Sequence, residues 1–446
     1  MTKSAKRVGV LTLSLPRERT DLAQAFGQAA AEALQARGFE VLTPADDLAF
    51  DTSQCLAAVR TFQENDADAV LILLGTWVFA PTVVDTMQAC DLPFGIWAED
   101  NPGSFSLTAG GIVHGSLDEL GLPHRFFYGS PQSKSLIDEI AAFITGAACA
   151  RALQGQRLCV VGGRVMGMYT TMVDIMQIKN LFGVEIEHID TVRVYLAAEQ
   201  LSPDAVAECR DWLAQTFGNI LITDERLDKS IRLYLALKQI LEADGYRLAA
   251  IKCQEEMINC YSSFCLATSL LNDAGLTLAC ESDVNAALTM RLLQTASGGI
   301  ALFGDINHLD FEANALRIVN CGSMPTLMAE SRKDVDLATQ YEYMGDAPGA
   351  TTVLAVKDAP VTLARLSRIK GKYVMVAVEG HSQPLPRERF KEAREFWPHA
   401  YIKLHCQAQN LIPLLRSNHM HACFGNHLSA LKAFCALKGI ECLQPE

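Results

Sequence analysis

Positive charge is scarce in this chain: 38 lysines and arginines stand against 51 aspartates and glutamates, for a net charge of −13 over 446 residues. No basic run and no Lys/Arg stripe interleaved with aromatics occurs, so nucleic acid is excluded as an expected partner. Aromatic residues make up only 7%. No apolar run reaches the length needed to cross a membrane. The start, Met1-Thr2-Lys3-Ser4-Ala5-Lys6-Arg7, leads into a short apolar stretch that Pro16 and Arg17 close, which reads as a first buried strand and not as an export signal. No Cys-x-x-Cys pair is found among the 14 cysteines, against a zinc ribbon or a thioredoxin-type site. Most of the thiols lie in apolar runs such as Leu158-Cys159-Val160-Val161, where cysteine acts as a small hydrophobe, and a reducing, cytoplasmic setting is expected. Short-period repeats and low-complexity segments are also missing.

What is present is a large apolar fraction, 50%, in a chain too long for one ordinary core. Strand-like and amphipathic stretches alternate: Arg7 to Leu13 then Asp21 to Ala36, Ala67 to Leu74 then Val83 to Ala89, then Pro93 to Ala98. This alternation predicts βαβ units around a parallel sheet. The pattern restarts near residue 155, with strands expected at Arg157 to Val161, Val184 to Ile189, Asn219 to Thr223, Leu248 to Lys252, Leu276 to Cys280 and Gly299 to Phe303. Beyond about residue 330, Thr351 to Val356, Val361 to Leu366 and Tyr373 to Val378 lack intervening helices and predict a β-rich, barrel-like region, followed by a helix over Leu428 to Leu437 that Gly439 caps. The expected fold class is therefore α/β: two doubly wound α/β domains, 1–155 and 156–330, followed by a β-rich C-terminal domain, 331–446.

Chemistry concentrates in three clusters: Lys252-Cys253-Gln254-Glu255-Glu256, Cys280-Glu281-Ser282-Asp283, and Asn418-His419-Met420-His421. The two acidic clusters follow predicted strands, where ligands bind in open parallel sheets. Two carboxylates and an imidazole leave positions of a divalent cation free for vicinal oxygens, and a sugar suits that opening. The plainer readings are that Asp283 caps a helix starting at Val284, that Glu256 is a solvated loop charge, and that the histidines are ordinary packed residues. Glu255 competes with Glu256, Glu281 with Asp283, and His421 with His419; the residues alone do not choose between them.

In order along the chain, Lys252-Cys253-Gln254-Glu255-Glu256, then Ala279-Cys280-Glu281-Ser282-Asp283-Val284 with Ala287-Leu288-Thr289-Met290, then Asn320-Cys321-Gly322-Ser323, then Asn418-His419 resemble the L-fucose isomerase/L-arabinose isomerase superfamily, especially its shorter fucose-isomerase-like members. The resemblance is strongest over residues 250 to 325 and at the tail. It implies a glutamate, an aspartate and a histidine holding a divalent ion, usually manganese, with magnesium or cobalt as alternatives, at the matching positions Glu256, Asp283 and His419. It also implies two α/β domains ahead of a β-rich one, and homo-oligomers, trimers or hexamers, in which a neighbouring subunit's first domain helps close the pocket; Trp77 is a candidate for that lid. The chain departs from the family where Ser282 replaces a common glycine, Gln254-Glu255 a frequent Trp-Pro, and Met420 a second consecutive histidine.

The expected reaction is interconversion of an aldose and a ketose, with Glu256 and Asp283 both ligating the ion and moving protons between C1 and C2; a hydride shift would use the same ion. Arg17, Trp77, Ser323, Trp397 and Asn418 are further sugar-binding candidates, Arg17 either for an anionic group on a modified sugar or as a partner of Asp21. Two other readings fit the same pattern: a non-catalytic cytoplasmic sugar-binding protein, and a metal enzyme of this fold catalysing epimerisation. Gly162-Gly163-Arg164-Val165-Met166-Gly167 follows a strand, but its glycine spacing is wrong for dinucleotide binding.

Overall fold

The computed structural model describes residues 5–340 and 345–445. The first four residues, read above as the lead-in to the first strand, lie outside that range. The chain divides into two compact units: Met1–Arg151 with Ser429–Gly439, and Ala152–Leu428 with Ile440–Glu446.

The first unit is built on a parallel sheet of β1 (Arg7–Leu13), β2 (Glu40–Leu42), β3 (Ala69–Leu74), β4 (Phe94–Ala98) and β5 (His124–Tyr128), in the order β2-β1-β3-β4-β5. Every residue of β3 is buried, as expected of a strand covered on both faces. The covering helices are α1 (Thr20–Ala36), α2 (Thr52–Glu64), α3 (Ala80–Gln88), α4 (Ser106–Glu119) and α5 (Lys134–Leu153). In α1, the spacing of Ala23, Phe26, Ala30 and Leu34 puts all four on one face, and all are buried.

The second unit holds a four-stranded parallel sheet, ordered β10-β9-β6-β7, from β6 (Arg157–Val161), β7 (Glu185–Ile189), β9 (Leu248–Ile251) and β10 (Thr277–Cys280). Its helices are α6 (Ile175–Phe182), α7 (Thr191–Glu199), α8 (Pro203–Thr216), α9 (Asp224–Asp244), the short α10 (Glu256–Cys260), α11 (Cys265–Asp273) and α12 (Val284–Ser297). Two strands expected in this sheet belong elsewhere. The stretch Asn219 to Thr223 yields only β8 (Ile220–Leu221), which pairs with β13 (Asp336–Thr339) beside β14 (Ala350–Val353). The run that begins near Gly299 is β11 (Ala301–Asp310), an antiparallel strand of the barrel. A short apolar run carries no sign of its partner's direction, so periodicity could not separate the two sheets.

The barrel closes through β15 (Ala359–Ile369), β18 (His419–Phe424), β11, β12 (Ala315–Val319), β17 (His399–Leu404) and β16 (Lys372–Gln383), which returns to β15; β19 (Glu441–Leu443) adds to β16. The β15–β16 hairpin turns at Lys370-Gly371, both at positive φ (48° and 81°), the backbone that matches strand twist in a two-residue loop. A short helix α13 (Ala408–Leu411) follows β17, and α14 (Leu428–Lys438) carries the chain back to the first unit. Among the described residues no helix is long and apolar enough to cross a membrane, and the 14 cysteines are free, most of them buried.

Candidate metal centre and active site

Strand β10 ends at Cys280, and the next two residues, Glu281 and Ser282, both take left-handed backbone (φ 58° and 51°) before Asp283 opens α12. Such a pair of non-glycine residues is held there only by its surroundings. The turn aims Glu281 and Asp283 at β18. In the barrel, β11 and β18 pair so that Asp305 stands directly opposite His419 and Phe303 opposite His421. Cross-strand partners share a face, so register alone brings Asp305 and His419 together. Gly304 permits the approach: a Cβ there would lie 2.2 Å from Cγ2 of Ile318.

These elements converge on the imidazole of His419, which is fully buried. Its Nε2 lies 3.0 Å from Oε2 of Glu281 and 3.4 Å from Oδ1 of Asp305. Donor atoms of Glu281, Asp305 and His419 all lie within 4.8 Å of one another. On the other side of the ring, Nδ1 donates to Oδ2 of Asp283 at 2.7 Å. That same Oδ2 accepts from Nη1 of Arg365 at 2.6 Å, while Oδ1 accepts from the Ala286 N–H at 2.9 Å and so caps α12. Arg365 also donates to Nε2 of His421 at 3.2 Å and to the Thr170 carbonyl at 3.3 Å. Asn418 donates to Oδ1 of Asp305 at 3.0 Å.

The electrostatics suit a cation between the two acids. Burial, then the Glu281 charge beside it, push Asp305 up to about 7, although its side chain keeps 27% exposure on the open side. Burial works against charging His419, but the hydrogen bonds to Asp283 and Glu281 outweigh it and hold the imidazolium up to about 9. Burial likewise opposes the charge on Asp283, which the Arg365 guanidinium and His419 nevertheless keep well below the usual carboxylate range. Burial and the same guanidinium hold His421 neutral. A positive charge thus already sits on the nitrogen facing Glu281 and Asp305. A carboxylate on the far nitrogen is the arrangement that orients metal-ligating histidines. The donor set fits a divalent ion.

Residues 318–444 match the family model described as L-fucose isomerase, C-terminal domain. The chain is 22% identical over 384 residues to the sulfoquinovose isomerase of Priestia aryabhattai, covering 84% of this chain and 85% of that one. It is 27% identical over 230 residues to the sulfoquinovose isomerase of Clostridium sp. (strain MSTE9), covering 51% of each. These matches support the resemblance to the L-fucose isomerase/L-arabinose isomerase superfamily. Like its relatives in that superfamily it is an isomerase, and the reading of it as a non-catalytic binder falls away. A periplasmic solute-binding protein from Actinobacillus succinogenes 130z with bound D-allose aligns over 66% of this chain and 92% of its own at 13% identity, but its TM-score of 0.18 carries no argument.

Of the ligands expected from the family resemblance, His419 and Asp283 meet, while Glu256 stands apart. Its side chain is 67% exposed at the start of α10 and pairs with Nζ of Lys252 at 2.8 Å, as does Glu255. Asp283 reaches His419 through Nδ1, on the side away from Glu281 and Asp305. Asn418 and Ser323 fall in the second unit: Asn418 beside Asp305, and Ser323 buried with its hydroxyl donating to Oδ1 of Asn320 at 2.8 Å. Trp397 is half-buried with Arg394 over its ring. Arg17 and Trp77 belong to the first unit; Arg17 is exposed, and the partner of Asp21 is Arg19.

Sequence reasoning passed over Asp305 and Arg365. Asp305 ends the apolar run Ala301-Leu302-Phe303-Gly304, and a carboxylate at such a strand end was the available signal. Arg365 inside Thr362-Leu363-Ala364-Arg365-Leu366 was another, since a buried arginine demands a partner.

Proposed function

We propose that this isomerase interconverts an aldose and a ketose, with a divalent metal ion held by Glu281, Asp305 and His419. The observation that carries the reading is the convergence of two carboxylates on Nε2 of one buried imidazole. When bound, the ion supplies Lewis acidity toward the adjacent carbonyl and hydroxyl oxygens of an open-chain sugar. Glu281 and Asp305 lie on the same side of His419 and carry the protons, one between C1 and C2, the other between their oxygens. Asp283 holds His419 in the tautomer whose Nε2 is free to ligate, and Arg365 holds Asp283. Asn418, beside Asp305, meets the hydroxyls beyond the reacting carbons, with Trp397 as a flanking aromatic. Trp77, from the first unit of a neighbouring copy, closes the pocket.

The substrate class is an acidic monosaccharide of the sulfoquinovose kind, a glucose bearing a sulfonate in place of its terminal hydroxyl. Support comes from the activity named for two relatives that share most of their length with this chain. Arg17 is assigned to the acid group.

The test is to strip the protein with chelator, restore manganese, magnesium or cobalt, and follow ketose formation and C2-hydrogen exchange on sulfoquinovose, glucose, L-fucose and L-arabinose. Turnover should require metal, favour the sulfonated sugar and vanish in Glu281→Gln and Asp305→Asn. Full activity in either variant would discard the ligand set, and a C2-epimeric aldose as sole product would replace isomerisation with epimerisation.

A further inference from the structure

A second group of metal-ligating side chains lies in the first unit, away from everything the isomerase reaction uses. His114 and Asp118 stand one turn apart near the C-terminal end of α4, and His124 opens β5 after a short connection. One donor atom from each lies within 4.8 Å of the other two. We propose that His114, Asp118 and His124 form a site for a divalent transition metal of the zinc class, which clips α4 to β5.

The hydrogen-bond geometry leads to this. Nδ1 of His124 is 2.8 Å from the Leu122 carbonyl, which can only accept, so the proton of the neutral ring is on Nδ1 and Nε2 presents its lone pair. That lone pair meets Nδ1 of His114 at 2.7 Å, so His114 must donate there. The remaining nitrogen of His114, Nε2, then faces Oδ2 of Asp118 at 3.6 Å, too far for a hydrogen bond and with no proton left on a neutral ring. With that proton between the rings, Nε2 of His114 and the Asp118 carboxylate face each other as two acceptors. A metal ion in place of that proton takes Nδ1 of His114 and Nε2 of His124 as ligands, at metal–nitrogen distances of about 2.0–2.1 Å once the rings part by roughly half an ångström or more; the displaced proton moves to Nε2 of His114, and the Asp118 carboxylate lies within reach as the third donor.

The surroundings favour a cation. His114 and Asp118 lie in the last two turns of α4, toward the negative end of the helix dipole, and Glu119 follows directly. One face of the His114 ring packs on Phe126, at 5.2 Å between centroids, and the Leu122 carbonyl fixes the His124 ring, so both imidazoles are oriented before an ion arrives. A carbonyl on the distal nitrogen of a ligating histidine is the usual orienting partner. Two imidazoles and one carboxylate select zinc, nickel or copper over magnesium or calcium, and three protein ligands leave a position open to water or to an external donor.

The test uses the full chain, stripped with chelator and titrated with zinc by calorimetry and against a chromophoric chelator. Wild type should bind a micromolar equivalent that Asp305→Asn retains and that His114→Gln and His124→Gln each lose, with manganese-supported turnover unchanged in both histidine variants. Asp118→Asn, on an exposed helix surface where the fold is safe, should weaken that equivalent on the order of tenfold or more. Cobalt should report the same site by visible absorption that persists in Asp305→Asn and disappears in His124→Gln. Zinc stoichiometry and affinity unchanged in the three variants would overturn the proposal. So would binding at millimolar zinc alone, an adventitious ion only.

Discussion

Asp283 uses one oxygen to cap α12 and the other to receive both His419 and Arg365. Asparagine caps a helix as well as aspartate does, so Asp283→Asn separates the cap from the charge. With the counter-charge gone, the guanidinium of Arg365, 2% exposed, is left in the interior unpaired. The variant should lose about 3–5 kcal/mol of stability to urea and bind metal about 10- to 100-fold more weakly. A loss under about 1 kcal/mol would mean that Arg365 does not depend on this carboxylate.

His399 is the other informative single residue. It is fully buried, stacked on Phe390 at 4.1 Å with Nε2 donating to the Arg394 carbonyl, and burial pushes it down to about 4. Its unfolded value is about 6.5, so between those two pH values the unfolded chain binds more protons. Its contribution is complete above pH 6.5 and is lost as pH falls toward 4, up to about 3 kcal/mol. Urea midpoints measured from pH 4 to 8 should show this slope in wild type and a flatter one in His399→Gln. Equal slopes would remove His399 as the cause.

At the scale of elements, the ligands depend on how strands end and pair. Adding one methyl in Gly304→Ala drives a Cβ into Ile318 where β11 meets β12, and should destabilise the protein by about 1–3 kcal/mol. Because Asp305 is the next residue, metal affinity should fall with it; an unchanged metal titration would show that β11 absorbs the strain on its other side. At Ser282 the reverse holds. Its φ of 51° suits glycine, and its buried hydroxyl lacks a partner, so Ser282→Gly should be neutral or stabilising by up to about 1 kcal/mol in urea unfolding. The family's glycine at this position has its physical reason in that backbone.

For the whole molecule, the α/β class and the barrel were legible because alternation of apolar runs with amphipathic helices, and then its loss, survive in composition. Which strand joins which sheet was not: β8 and β11 read as members of the parallel sheet, since an apolar run of five residues looks the same in either. The site was half legible. Of the proposed ligands, Glu281 and His419 lie in clusters legible at strand ends, whereas the meeting of Asp305 with them depends on cross-strand register and on a left-handed turn, neither of which has a one-dimensional signature. If Glu281, Asp305 and His419 hold the ion, manganese at about a hundred times its dissociation constant should stabilise the stripped protein by about 2.7 kcal/mol, seen as a higher melting temperature. Asp305→Asn should abolish that gain; its persistence would locate the ion elsewhere.

Glu281 and Asp283 come from the edge of a parallel sheet, whereas Asp305, Arg365 and His419 come from strands of a closed barrel. Neither architecture holds a complete set. During refolding, helix content and even a finished barrel can return while the ion still has no home, and its capture should be the last event, marking the moment when the two layers of the second unit lock together. If the proposed ion is held there, its uptake is a clock for that docking.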